Sequence, residues 1–207
     1  MRSLLILFIS FLSAFGFSQS FQKIENEAAI KNMIFEKTKS TKSIVGNFHE
    51  TVYSSMYNHP KEAEGKMHYV NPERLRWEHL KPAAKILLID GEEIRFFENG
   101  EEVKNVGNNK IVKRVKSIMM QMFNGDFLSG KDFIIGYYES KTQYKIKLAP
   151  KSNRVAKHMR YIELLFNKAT LQLDRLTLYD TDEDKIVYSF SSVKFDEPID
   201  EINFTQF

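Results

Sequence analysis

The chain has 207 residues, 30 lysines and arginines against 27 aspartates and glutamates, a net charge of +3, and no cysteine. So near a balance argues against a nucleic-acid partner, and the missing thiol excludes a cysteine nucleophile, a disulfide framework and a bacterial lipid-attachment site. Aromatic residues make up 13% of the chain, 17 of them phenylalanine, an apolar area that suits a thick β core or an apolar cavity.

Met1 and Arg2 precede an apolar run from Leu4 to Phe15, followed by the small residues Gly16, Ser18 and Ser20. A basic start, a short apolar core and small residues after it read as a secretory signal cut near Ser18 or Ser20. The run is too short to span a bilayer comfortably, and an uncleaved anchor is the alternative. Residues 1–20 are expected to be removed on export, leaving residues 21–207 as one soluble domain large enough for its own core.

Ile24 to Lys39 reads as a helix, with Ile24, Ala28, Ile30, Met33 and Ile34 toward one face. Strands follow. Phe48, Val52 and Met56 share a face of the segment from Ile44 to Tyr57, and Gly65, Met67 and Tyr69 alternate with Lys66 and His68. Pro72, which has no N–H to donate, belongs at a strand start or edge, and Leu75 and Trp77 then alternate with Arg74 and Arg76. Lys85 to Asp90 is nearly continuously apolar, as in a strand covered on both faces. Asp90-Gly91 and Asn99-Gly100 are turn dipeptides on either side of Ile94, Phe96 and Phe97.

Lys110 to Phe123 breaks the pattern. Ile111, Val115, Ile118 and Met122 follow helical spacing, Val112, Met119 and Phe123 widen the stripe, and Lys110, Lys113, Arg114 and Lys116 lie opposite. Asn124-Gly125 ends that helix. Strands are then expected at Phe133–Glu139, Tyr144–Leu148, Tyr161–Phe166, Leu171–Tyr179, Lys185–Phe195 and Ile202–Phe207, with Pro150 to Arg160 as a polar connection carrying at most a helical turn. The apolar phase switches between Leu173 and Leu176 and between Phe190 and Val193, which calls for bulges in a curved sheet. The sum is a mainly β, α+β chain of about ten or eleven strands with two or three helices.

The catalytic inventory is poor. The histidines at 49, 59, 68, 79 and 158 have no ligand spacing, and Tyr53 stands where a metalloprotease helix beginning at His49-Glu50 needs its second histidine. Asp180, Asp182 and Asp184 imitate the start of a calcium loop, but Lys185 takes the place of its glycine and Ser191 that of its bidentate glutamate. No nucleophile elbow or phosphate loop occurs, and Asn203-Phe204-Thr205 is a weak glycosylation sequon. The methionine stripe, Met119, Met120 and Met122 with Phe123, has two readings: ordinary core packing, or an adaptable lid over a hydrophobic ligand.

An N-terminal helix leading into Ser43–Glu50 with its Phe48, the segment from Gly65 to Trp77 with a proline and an apolar-x-Trp ending, Ile89-Asp90-Gly91 before Ile94–Phe97, and the spaced phenylalanines between Ile199 and Phe207 occur in this order. In these features the chain resembles the periplasmic outer-membrane lipoprotein carriers, the LolA family. The resemblance implies an incomplete, strongly curved antiparallel β-barrel whose open side is covered by a helical lid. It implies a monomeric periplasmic chaperone without cofactor or covalent chemistry. Such a carrier holds lipoprotein acyl chains in a hydrophobic cavity, takes its cargo from an inner-membrane ABC transporter and delivers it to an outer-membrane receptor. On this reading Phe48, Val52, Met67, Leu75, Trp77 and Leu87 line the cavity, together with Ile89, Phe96, Ile118, Met119, Met122 and Phe123. The chain departs from the family at three points. Asn71 stands where an arginine before the proline often latches the lid, which makes Asn71, Arg74 and Arg76 the latch candidates. Glu50 replaces a usual glutamine, and no asparagine precedes the last strand near Glu197-Pro198. Two other readings stay open: a carrier of another amphiphile, such as a glycolipid or pigment precursor, and a lipid-sensing or interaction module of the same fold.

Overall fold

The structure, a computed structural model, describes residues 20–108 and 110–207. The predicted signal, up to residue 19, falls outside the described residues. Among the described residues, twelve strands build one antiparallel sheet. They are β1 (Gln22–Lys23), β2 (Ser43–Tyr53), β3 (Lys61–Val70), β4 (Arg74–Lys81), β5 (Lys85–Asp90), β6 (Glu93–Glu98), β7 (Glu101–Glu102), β8 (Phe133–Glu139), β9 (Gln143–Pro150), β10 (Tyr161–Asn167), β11 (Leu173–Tyr179) and β12 (Lys185–Phe195). Their order is β1-β8-β9-β10-β11-β12-β2-β3-β4-β5-β6-β7, so two connections pass between strands that are not neighbours, β1 to β2 and β7 to β8, and the rest is meander. The edges β1 and β7 are two residues long and remain apart, which leaves a curved sheet that is an incomplete barrel.

Alternation decides the faces. In β10 half-buried and buried residues alternate without a break, and Ile162, Leu164 and Phe166 point inward. Asn99 and Gly100 both take positive φ, as the two-residue turn between β6 and β7 requires. The expected phase switches are bulges. Leu165 pairs with Arg175 and Phe166 with Leu173, so Asp174 is an extra residue in β11. In β12, Ser191 opposes Asn47 and Lys194 opposes Val45, which inserts one residue beside Ser192 at φ 52. Each insertion turns the strand over, so the apolar residues on both sides of it still face inward.

The helices cover the open side. α1 (Glu27–Ser40) starts at Asn26, whose side chain accepts from the Ala29 amide at 3.2 Å, and ends on Lys37 and Lys39, which suit the negative end of the helix. It begins later than the sequence predicts, because Gln22 and Lys23 pair with β8 and Ile24 donates to the Tyr137 carbonyl. Ala28, expected on the apolar face, is exposed. α2 (Lys110–Asn124) ends at Gly125, φ 81, where a β-carbon would crowd Thr38 of α1 at 3.3 Å. Of its predicted basic face Lys113 is exposed and Lys116 reaches Glu92 at 3.5 Å, while the side chains of Lys110, Ile111, Arg114 and Val115 lie outside the described set. α3 (Asn153–Ala156) is the turn expected in the polar connection. Among the described residues no helix is long and apolar enough to cross a membrane.

The chain end corrects the sequence reading. Ile202–Phe207, expected as a closing strand, forms the short helix α4 (Ile202–Thr205). Pro198 supplies no ladder donor, the Asp200 carboxylate accepts from the Ile202 amide at 3.0 Å, and a helical turn sets Phe204 and Phe207 on one side. Phe207 stacks on Phe97 with ring centres 3.9 Å apart.

Two apolar clusters lie inside the sheet. One gathers Ile34 of α1, Phe127 and Leu128 after α2, and Phe133, Ile146, Leu148, Ile162 and Leu164 of β8–β10. The other gathers Phe48, Met67, Tyr69, Leu75, Trp77 and Ile89 of β2–β5 beneath Met120.

Candidate functional site

A cavity of about 1200 Å³ runs between the sheet and α2. It exceeds the roughly 300–1000 Å³ usual for a small-molecule site. The first half of the sheet contributes Met67, Trp77, Leu87 and Phe96, and α2 contributes Ile118, Met119, Met122 and Phe123. These eight predicted positions therefore border one space, with Trp77 and the methionine segment on the same cavity. The other four do not reach it. Phe48, Leu75 and Ile89 are buried behind the wall, and Val52 lies opposite Ile186 near the end of β2. Phe48, Leu75 and Ile89 belong to the packed cluster with Tyr69, Met120 and Phe123, whose side chains fill the space over them.

The Trp77 wall is built by a glycine. Gly65 on β3 faces Phe48, and a β-carbon there would collide with the Phe48 ring and the Glu78 carbonyl. The vacant place lets Phe48 lie flat under Trp77, ring centres 4.2 Å apart and 17° from parallel, so the indole presents its other side to the cavity. Tyr69 stacks on Phe123 at 4.7 Å, which docks the end of α2 on the sheet. Its hydroxyl donates to the Pro72 carbonyl at 3.2 Å, and burial, then the charges of Asp126 and Glu73, push its pKa up to about 12.

The opposite wall escaped the sequence reading. Ile162, Leu164 and Phe166 of β10, Leu176 and Leu178 of β11, and Tyr188, Phe190 and Val193 of β12 line the same space, with Val155 of α3 and Met159 just after it. Their alternation and the bulge signals are visible in the chain, but only the folded sheet brings them to the same cavity as Trp77, with Tyr188 and Phe190 edge-on to its ring.

None of the described residues on the cavity wall carries a carboxylate. Lys37 stands at one rim with its ammonium over the Phe195 ring at 4.4 Å, and Arg154 and His158 at another. Just behind the wall, Glu50 meets His79 Nε2 at 3.0 Å and accepts the Tyr188 hydroxyl. Burial works to raise the Glu50 pKa, but hydrogen bonds from His79 and Tyr188 and the charges of His79 and Lys85 outweigh it, so the group sits below the ordinary carboxylate value and stays ionised at neutral pH. The Tyr188 hydroxyl is pushed far up, by burial first and by Glu50 next. Among the described residues no group of three or more His, Cys, Asp or Glu is placed to hold a metal ion.

The three latch candidates part company. Asn71 donates its side-chain amide to the Thr41 carbonyl at 2.9 Å and its backbone amide to that of Lys42, which ties the β3–β4 turn to the end of α1. Arg74 and Arg76 project from the other face of β4. Arg74 forks onto the Glu201 carboxylate at 2.6 and 2.8 Å, stands 3.2 Å from Asp90 and covers the Phe204 ring. Arg76, only 8% exposed, pairs with Glu78 at 2.9 Å and donates to the carbonyls of Asn203 and Gln206. Both arginines therefore hold the C-terminal segment on the outer face of the sheet. That segment also explains why β5 is covered on both faces: Ile86 and Leu88 lie on the outer side and Leu87 on the cavity side.

A family model described as outer membrane lipoprotein carrier protein LolA matches residues 39–206. No curated protein matches the chain. Among solved structures it is similar to a LolA superfamily protein from Nitrosomonas europaea, at 12% identity over 85% of this chain and 97% of that one with a TM-score of 0.43. It is also similar to an uncharacterized conserved protein from Thermus thermophilus, at 10% identity over 87% and 93% with a TM-score of 0.49. LprF from Mycobacterium bovis is similar at 13% identity over 86% and 97% with a TM-score of 0.41. With its residues matched over most of their length, the chain belongs to the outer membrane lipoprotein carrier protein LolA family.

Proposed function

We propose that the protein is a periplasmic carrier that shelters the acyl chains of lipoproteins between the sheet and α2. It takes them from an inner-membrane ABC transporter and releases them at the outer membrane. Its family generally binds lipids or lipoproteins. The observation that carries the reading is the cavity of about 1200 Å³, walled by aliphatic, aromatic and methionine side chains and free of carboxylates among the described residues. An acyl chain gains about 0.8 kcal/mol per buried methylene, so two or three chains do not cross water unaided. A space matched perfectly to them would not let them go. Methionines that repack, on a helix docked chiefly through side chains, keep affinity moderate and allow release. No residue in this reading breaks or forms a covalent bond.

Depletion of the protein is expected to strand lipoproteins at the inner membrane, and mass spectrometry of protein purified from periplasm is expected to show acylated polypeptide in the cavity. Normal lipoprotein sorting after complete loss overturns the reading. A bound glycolipid or pigment precursor in place of acylated polypeptide keeps the cavity and changes the cargo.

A further inference from the structure

Glu50, His79 and Tyr188 are unexpected beside a greasy cavity. They stem from three strands and meet only in the folded sheet. Glu50 faces inward two residues after Phe48, directly opposite Tyr188 of β12, and His79 faces inward two residues after Trp77. Phe48 meets the His79 ring edge-on at 5.1 Å and the Tyr188 ring at 6.0 Å. His79 and Tyr188 are on the cavity wall, and the Glu50 side chain behind them is 16% exposed. Burying a carboxylate among aromatic rings costs free energy that an apolar residue of the same size avoids, so packing alone does not account for it.

We propose that these three residues form a polar anchor for the bound amphiphile, a subsite that takes a hydrogen-bond donor, a hydroxyl or an amide N–H, at the polar end of its acyl chains. The proposal rests on the reading of the cavity as a lipid site. The proton inventory sets the ligand chemistry. The Glu50 carboxylate accepts from Tyr188 and from His79 Nε2, so both donors are turned inward. What remains free is the lone pairs of the phenol oxygen and, in the neutral ring, of Nδ1, on two residues that line the cavity. The cluster offers acceptors around one buried negative charge, with Lys85 as the nearby cation, and its complement is a donor.

The position agrees. In the antiparallel meander the β2–β3, β4–β5 and β11–β12 turns lie at one end of the sheet, and Glu50, His79 and Tyr188 sit near those strand ends. The apolar remainder lies beneath Met119, Met122 and Phe123 of α2. An amphiphile with its polar junction at the cluster would run its chains under the methionine face.

Two probes of equal chain length separate the terms: 1-monolauroylglycerol, which carries hydroxyl donors, and methyl laurate, which has only acceptors. Each is titrated into the full chain freed of its signal, with emission from Trp77, the single tryptophan, as the readout. The ester is the more hydrophobic, so burial alone ranks it first. The anchor predicts that the glyceride binds about tenfold more tightly, the worth of a hydrogen bond to a buried acceptor, and that this ratio falls to about one in Tyr188→Phe and in His79→Phe. Equal binding of both probes to the native chain overturns the anchor and leaves the carrier reading intact. The same holds for a preference that persists in the folded variants. Failure of both probes to bind overturns the carrier reading and the anchor with it. If the variants do not fold, the ratio in the native chain alone decides.

Discussion

The two halves of the cover are held by different means. α1 is pinned at both ends: the Asn26 side chain caps its first turn, and Thr41 at its end accepts from Asn71. Beneath it lies buried core, with Ile34 at 1% and Ile146 and Leu148 at 0% exposure. α2 offers Met119, Met120 and Phe123 to the aromatic half and Ile118 and Met122 to the other, and borders open space along the same face. Directional hydrogen bonds fix a position, whereas methionine contacts tolerate many arrangements. On the proposed carrier reading, α1 is the fixed wall and α2 the element that repacks around a guest.

Substitutions in the two halves test this contrast. Leu148→Ala, in the dense half, should destabilise by roughly 3 kcal/mol, since the neighbours cannot fill the space; the denaturant midpoint reads this, and a loss under about 1 kcal/mol would show that this half is loose too. Gly65→Ala, in the aromatic half, should cost about 2 kcal/mol, because the Glu78 carbonyl cannot retreat and Phe48 must leave its place under Trp77. The emission of Trp77 should change with it, and an unchanged spectrum argues against the stack. Asn71→Ala should cost about 1 kcal/mol and speed hydrogen exchange at the end of α1 while leaving α2 amides as they were. Equal acceleration in both helices would erase the distinction between wall and lid. The smallest effect on stability is expected of Met119→Leu with Met122→Leu, under about 1.5 kcal/mol, with slower release of a bound acyl probe as the stiffer side chains repack less readily. Faster or unchanged release would remove the methionines from the mechanism.

Sequence reasoning located most strands because alternation and turn chemistry are local. The Asn99-Gly100 turn, the end of α2 at Gly125 and the two bulges were all legible from neighbouring residues. It failed where the partner lies far along the chain. Arg74 and Arg76 read as lid latches beside Pro72, yet their partners Glu201, Asn203 and Gln206 are on the opposite face and in a segment that itself reads as a strand. Phe48, Leu75 and Ile89 have the right phase for the cavity but are covered by cluster neighbours such as Tyr69 and Met120 from other elements, which no local pattern reveals.

By itself the sequence determined the curved β architecture, the inward phase of each strand, the amphipathic α2 and the poverty of catalytic groups, because pleat, helical period and side-chain chemistry belong to short stretches of chain. Tertiary structure alone decided which inward residues border empty space, which face holds the C-terminal segment, and that residues 50, 79 and 188 share one hydrogen-bonded cluster. Those outcomes depend on sheet curvature and on contacts between residues far apart along the chain, and neither leaves a periodic mark in the sequence.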